Sequence, residues 1–206
     1  MPNRIDKVLR EFTAHFVSNP FDFLKEADIQ SLLFARLYDA IQEKIPIERK
    51  TKGSFIEMSP VKTEYTTDPR IYSQDRLDIV ILDSRQAVGF HDFKKKYPSV
   101  YVNNEVLWRQ EASVAIEIKY CQLGDKLKDK FSLMLNDLER LRKYAEQVRR
   151  DQDFVGIALL FIQPHKSHKA KQLDWVLYEG IRPLRKGIQG WVVSPEFEYS
   201  LDYPQA

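Results

Sequence analysis

Hydrophobic positions recur along this chain with two periods, and the switches between them mark its elements. Ile5, Val8, Leu9, Phe12 and Phe16 fall three and four apart, which predicts an amphipathic helix over residues 4–17. Asn19-Pro20-Phe21-Asp22 reads as the start of a second helix, with Asn19 as N-cap, Pro20 at the first helical position and Asp22 near the positive end of the dipole. This helix is expected to run to about Ile41, with Glu26, Ile29, Gln30, Leu33, Leu37 and Ala40 on one face. A charged turn, Glu48 to Gly53, precedes a segment from Ser54 to Tyr65, where Val61-Lys62-Thr63-Glu64-Tyr65 has the alternation of a strand. Arg76 to Asp83 and Ala115 to Tyr120 are further strand-like runs. Gly124-Asp125 then separates the second run from a long helix whose stripe is Leu127, Phe131, Met134, Leu138, Leu141, Ala145 and Val148. Phe154 to Ile162 is almost wholly apolar, as expected of a central strand covered on both faces. A helix over residues 169–179 and a strand over 189–194 complete the reading.

The predicted order is a helix, three strands, a helix and a strand, followed by an extra helix and strand, so the fold class is α/β. The stretch between the second and third strands, residues 84–112, exceeds ordinary connections. It carries Phe90, Tyr97, Tyr101, Val102, Leu107 and Trp108, too many apolar groups for a solvated loop, and is expected to be an ordered insertion bearing Lys94, Lys95, Lys96 and Arg109. The chain has 206 residues, which suits one well-packed domain, 1–206. With 43% hydrophobic and 30% charged residues and seven glycines, it is globular in composition, not low-complexity. A lone Cys121 excludes an internal disulfide, and with four scattered histidines it gives no structural zinc spacing. No apolar run nears the roughly 20 residues that span a bilayer, and Met1-Pro2-Asn3-Arg4 opens an amphipathic segment, so a cytoplasmic protein without membrane contact is expected.

The chemistry is signalled by charges where apolar strands should exclude them. Asp78 sits in Arg76-Leu77-Asp78-Ile79-Val80-Ile81-Leu82-Asp83, and Glu117 and Lys119 sit in Ala115-Ile116-Glu117-Ile118-Lys119-Tyr120. An uncompensated charge in such a strand costs several kcal/mol. Glu117 and Lys119, two apart, project from one face. Alternation puts Leu77, Ile79 and Ile81 on one side of their strand and Asp78, Val80 and Leu82 on the other, at the border of the core. Asp75 and Asp83 read as turn residues. Two carboxylates and a lysine brought to one sheet edge can hold a divalent cation and activate water. The bland alternatives are a solvent-facing Asp78 paired with Arg76, and an exposed edge strand carrying a same-face charge pair.

Asp78 followed by Glu117-Ile118-Lys119 resembles the PD-(D/E)XK nuclease superfamily, the restriction-endonuclease-like fold, although Leu77 stands where the nominal motif has proline. The resemblance covers residues 21–162 and implies an αβββαβ core, a central mixed sheet flanked by helices. It implies magnesium- or manganese-dependent hydrolysis of DNA phosphodiesters, of restriction-like or junction-resolvase-like endonuclease type. Asp78, Glu117 and the backbone carbonyl of Ile118 would hold the ion. Lys119 would act at the scissile phosphate, and Glu26 would match the helix glutamate that many members place at the metal. Glu64 and Gln30 are accessory candidates beside the site. An all-oxygen donor set without a cysteine or histidine cluster selects Mg²⁺ or Mn²⁺ over zinc.

The formal net charge of +2 says little, but its distribution offers basic clusters at Arg49–Lys52, Lys94–Lys96, Arg140–Arg150, His165–Lys171 and Arg182–Lys186. Any one of them reads as solvated surface unless several share a face. Lys94, Lys95, Lys96 and Arg140 are the DNA-binding candidates; Arg140 and Tyr144, one turn apart, suit a phosphate contact or a solvated flank equally, and the histidines read as surface residues of which His165 and His168 could reach a phosphate. Family members often act as homodimers, yet no predicted helix is a clear dimer seam. Two other readings stay open: a catalytically inactive nuclease-fold module that binds nucleic acid or serves as a scaffold, and an unrelated α/β domain.

Overall fold

The computed structural model describes residues 2–48, 55–66, 76–83, 88–89, 112–147, 154–165, 187–195 and 198–201. Helices α1 (Pro2–Ser18) and α2 (Glu26–Ala40) come first. Strands β1 (Ile45–Glu48), β2 (Phe55–Met58), β3 (Val61–Thr66), β4 (Arg76–Leu82), β5 (Val88–Gly89) and β6 (Ala112–Cys121) follow. The chain continues through helix α3 (Leu127–Gln147) and strands β7 (Val155–Ile162), β8 (Ile188–Val193) and β9 (Glu198–Leu201).

Six strands form the main sheet in the order β3-β4-β6-β7-β8-β9, and β2-β1-β5 form a small second sheet. The pairs β3·β4, β4·β6 and β8·β9 are antiparallel, whereas β6·β7 and β7·β8 are parallel. A parallel pair needs a crossover, and α3 supplies the one between β6 and β7. The protein is therefore α/β with a mixed sheet flanked by helices. The elements at the centre run α2, β3, β4, β6, α3, β7, helix and strands in the order read from the periodicity.

Each face of the sheet has its own core. On one, Phe131, Met134, Leu138 and Leu141 of α3 pack over Val80, Ala115, Ala158, Leu160 and Val192. On the other, Phe12, Phe16, Phe23, Ile29, Leu33 and Leu37 cover Ile79, Ile81, Ile116, Ile118, Leu159 and Phe161. The T-shaped contact of Phe12 with Phe161, at 5.5 Å between centroids, joins α1 to β7. Covering both faces explains why β7 reads as an unbroken apolar run. Tyr144, on the α3 stripe, is buried, and its hydroxyl accepts the Ala112 N–H at 3.1 Å. Tyr144 is thus a structural residue that starts β6, not a phosphate contact. Tyr144→Phe strands that amide, and is expected to cost about 1–2 kcal/mol in a denaturant titration.

Several expectations are corrected. The second helix begins at Glu26, not at Asn19-Pro20, because Asn19 closes the preceding helix: its N–H donates to the His15 carbonyl at 2.9 Å and its side-chain amide to the same carbonyl at 3.2 Å. The N-terminus of α2 is held by Asp28, whose carboxylate accepts the N–H groups of Leu24 (2.9 Å) and Lys25 (3.1 Å). Ser54 to Tyr65 is not one strand but two, β2 and β3, in different sheets, and β1 had no clear alternation over its four residues. Leu77 belongs to the core that holds Val80 and Leu82 and not to the one that holds Ile79 and Ile81. Asp83, read as a turn residue, follows the end of β4 and is buried. Lys94, Lys95, Lys96, Arg109, Asp75, Val148, His168 and the helix expected over 169–179 lie outside the described residues. So does most of the insertion, of which β5 is the described part.

Candidate active site

The ladder between β4 and β6 pairs Leu82 to Ile79 with Ala112 to Ile116 and ends there. One residue further on, Asp78 and Glu117 stand at the mouth of a fork between the strands. Backbone groups released by a fork need partners, and here three side chains, two from α2 and one from β4, supply them. Asp78 Oδ2 accepts the Ile118 N–H at 2.7 Å, Glu26 Oε2 accepts the Tyr120 N–H at 3.2 Å, and Gln30 Nε2 donates to the Asp78 carbonyl at 2.9 Å. Gln30 also donates to Glu64 Oε1 at 3.1 Å. Glu64 lies between Thr63 and Tyr65, whose partners are Ile79 and Leu77, so it stands opposite Asp78. Its φ of +49° is in the left-handed region, which costs a non-glycine residue about 1–2 kcal/mol. Glu26 and Gln30, one helical turn apart, thus reach two different strands at the fork.

Glu117 and Lys119 point toward α3, and α3 answers with opposite charges. Arg140 Nη2 bonds Glu117 Oε1, Arg140 Nη1 lies 3.5 Å from Asp137 Oδ1, and Lys119 Nζ lies 3.0 Å from Asp137 Oδ2. Lys119 Nζ also donates to the Ile118 carbonyl at 2.9 Å. The side chains of Glu117 and Asp137 are 1% and 4% exposed, against 29% for Arg140 and 18% for Lys119. The quartet therefore buries its carboxylates and turns its cations outward.

Electrostatic coupling ties these groups together. Burial raises Glu117 to about 8, and the Asp78 and Asp137 carboxylates add to the rise against the pull of Arg140 and Lys119. Burial likewise raises Glu26 and Asp137, each pushed further by Asp78. Burial works against the charged Lys119, but the adjacent Asp137 outweighs it and leaves the ammonium above its ordinary range. Cys121, next along β6, is pushed up to about 12 by burial and is no nucleophile.

Asp78, Glu117, Lys119, Glu26, Gln30 and Glu64 are thus brought to one fork. Arg140, foreseen only as a surface phosphate contact, is a partner of Glu117. Asp137 was missed. Its position beside the apolar stripe of α3 reads as an ordinary helix flank, and only its i,i+3 spacing to Arg140 hints at a charged ridge. His165 is exposed, beyond the end of β7. Among the described residues no three His, Cys, Asp or Glu side chains close around one point as a ready cation cage; each candidate carboxylate is held by a protein donor. The donor set nonetheless suits a hard divalent cation: it is all oxygen, and four carboxylates (Glu26, Asp78, Glu117, Asp137) against two cations (Lys119, Arg140) leave a formal charge that one such ion balances. Comparison with protein-family models, with curated proteins and with solved structures returned no match. No helix among the described residues is long and apolar enough to cross a membrane.

Proposed function

We propose that the protein is a divalent-metal-dependent nuclease that hydrolyses DNA phosphodiesters at the β4/β6 fork. The observation that carries this reading is the meeting, at the point where two central strands part, of Asp78, Glu117 and the Ile118 carbonyl with Lys119 on the same strand. The α2-β3-β4-β6-α3-β7 order supports the restriction-endonuclease-like core that the Asp and Glu-x-Lys pattern resembles. Asp78, Glu117 and the Ile118 carbonyl would hold Mg²⁺ or Mn²⁺, with Glu26 beside them; the ion, when bound, supplies Lewis-acid polarisation of the phosphate and a water of lowered pKa.

The chain's own groups do the rest. Lys119, kept charged by Asp137, offers its ammonium to the developing charge on the scissile phosphate. Gln30 and the Ile118 amide hold Asp78 in place from two sides. Glu26 stands within reach of water at the fork and can take up a proton there, since burial has moved its carboxyl toward neutrality. Arg140, the most outward of these charges, offers a guanidinium that phosphate can take in exchange for Glu117. A homodimer and a cytoplasmic location remain compatible with this reading.

The test is a cleavage panel over linear, circular, single-stranded and branched DNA with Mg²⁺, Mn²⁺ and Ca²⁺. Mg²⁺ or Mn²⁺ is expected to support cleavage, and Ca²⁺ to allow binding with little turnover. No hydrolysis of any substrate, together with no divalent-ion binding by calorimetry at millimolar concentration, would refute the proposal. A second reading, a non-catalytic nucleic-acid-binding or scaffold module, draws on the protein donors that satisfy every candidate carboxylate. It predicts DNA binding unchanged by divalent ions.

A further inference from the structure

Arg140 occupies an unusual place. It is the most exposed member of a four-charge chain, Glu117–Arg140–Asp137–Lys119, and holds the least exposed one. An incoming phosphate meets the guanidinium before anything from solvent can meet the Glu117 carboxylate. Arginine binds phosphate and carboxylate through the same planar fork, so the two ligands compete for it. Asp137, three residues away on the same helix, keeps a second hold on Arg140 and limits how far it can swing.

Resting on the nuclease reading, we infer that Arg140 is a substrate-operated latch: it withholds Glu117 from the metal until a nucleic-acid phosphate takes the guanidinium, so that phosphodiester and divalent ion load cooperatively. The latch works by exchange. The Arg140–Glu117 ion pair breaks as the Arg140–phosphate pair forms, the number of charge pairs is conserved, and Glu117 is released as a ligand. Asp137 retains Lys119 throughout, so the lysine stays oriented in both states. Thermodynamic reciprocity then requires the ion to tighten DNA binding by the same factor by which DNA tightens ion binding.

The experiment titrates Ca²⁺, which should bind without supporting turnover, into the full chain by calorimetry at about pH 9, above the range in which Glu117 holds a proton, alone and with a saturating short DNA duplex, the duplex's own Ca²⁺ heat being subtracted. Wild-type protein is expected to bind Ca²⁺ roughly tenfold more tightly with the duplex, about 1.4 kcal/mol. Arg140→Gln should show the tighter affinity without DNA and gain less than about twofold from it. Arg140→Lys, which keeps the charge but not the fork, should fall between and guards against a Gln variant that fails to fold. Equal Ca²⁺ affinity in wild type and both variants without DNA, or the same gain from duplex in all three, would overturn the latch while leaving the nuclease site standing. Absence of Ca²⁺ binding in every protein, with and without duplex, would instead remove the metal site and the latch with it.

Discussion

Glu117→Gln is expected to abolish cleavage and at the same time to raise the melting temperature at pH 8 in the presence of a chelator. The Glu117 carboxyl is almost fully buried, and its pKa in the fold, about 8, lies far above its ordinary value of 4.5. Between these two values the folded chain binds more protons than the unfolded one. Stability must therefore fall as pH rises through this window, and the loss is complete above pH 8. Glutamine has the same shape and no charge to desolvate, so the variant escapes the loss. The gain is on the order of 4 kcal/mol, the pull of Arg140 being already contained in the raised value, equivalent to roughly 8–16 °C for a chain of this size. At pH 4, below both values, wild type and variant should melt together. Thermal melts at pH 4, 6 and 8 check the sign: a variant that melts lower at pH 8 would mean that Glu117 is a stabilising ion-pair partner and not a strained ligand.

Lys119 should behave in the opposite way. Its ammonium is the closer of the two cations to the Asp137 carboxylate, which is 4% exposed. Lys119→Ala leaves that buried charge with Arg140 alone, and a cost of about 3 kcal/mol in folding free energy is expected. Turnover should drop on the order of 10²–10³-fold, as for loss of one preorganised group aimed at the transition-state charge. Ion binding should persist, since Asp78, Glu117 and the Ile118 carbonyl remain. The double variant Lys119→Met with Asp137→Leu separates the roles: it should regain most of the stability and none of the turnover. If the double variant melts as low as the single one, Asp137 is not the group that Lys119 compensates.

Opposite stability signs for two neighbours on one strand follow from where each side chain sits. Asp78, Glu117 and Lys119 are all charges in apolar strands. The α3 helix makes them unequal by offering Lys119 a buried partner and Glu117 a half-exposed one.

Periodicity alone determined most of the architecture. The apolar stripe of α3 and the unbroken run of β7 are local signals with one structural solution each, a helix lying on a sheet and a strand covered on both sides. The same-face placement of Glu117 and Lys119 follows from the two-residue repeat of a strand, and the apolar setting of Asp78 was enough to mark it as a charge in need of company. Glu26 and Gln30 were legible because helical spacing put them on the face that packs toward the sheet.

Tertiary structure decided what that company is. Asp137 and Arg140 reach Glu117 and Lys119 across more than a dozen residues of sequence, through a crossover whose rotation no local pattern encodes. The start of α2 also depended on competition between two ends: Asn19 could cap either helix, and the carbonyls left open at the C-terminus of α1 took it, while Asp28 served the amides of Leu24 and Lys25. The four residues of β1 carry too short a pattern to be told from a turn, and their strand exists because β2 and β5 pair with it. Sequence spacing specifies which way a side chain faces; only the packed fold decides which charge it meets there, because ion pairs between elements depend on the register and angle at which those elements dock.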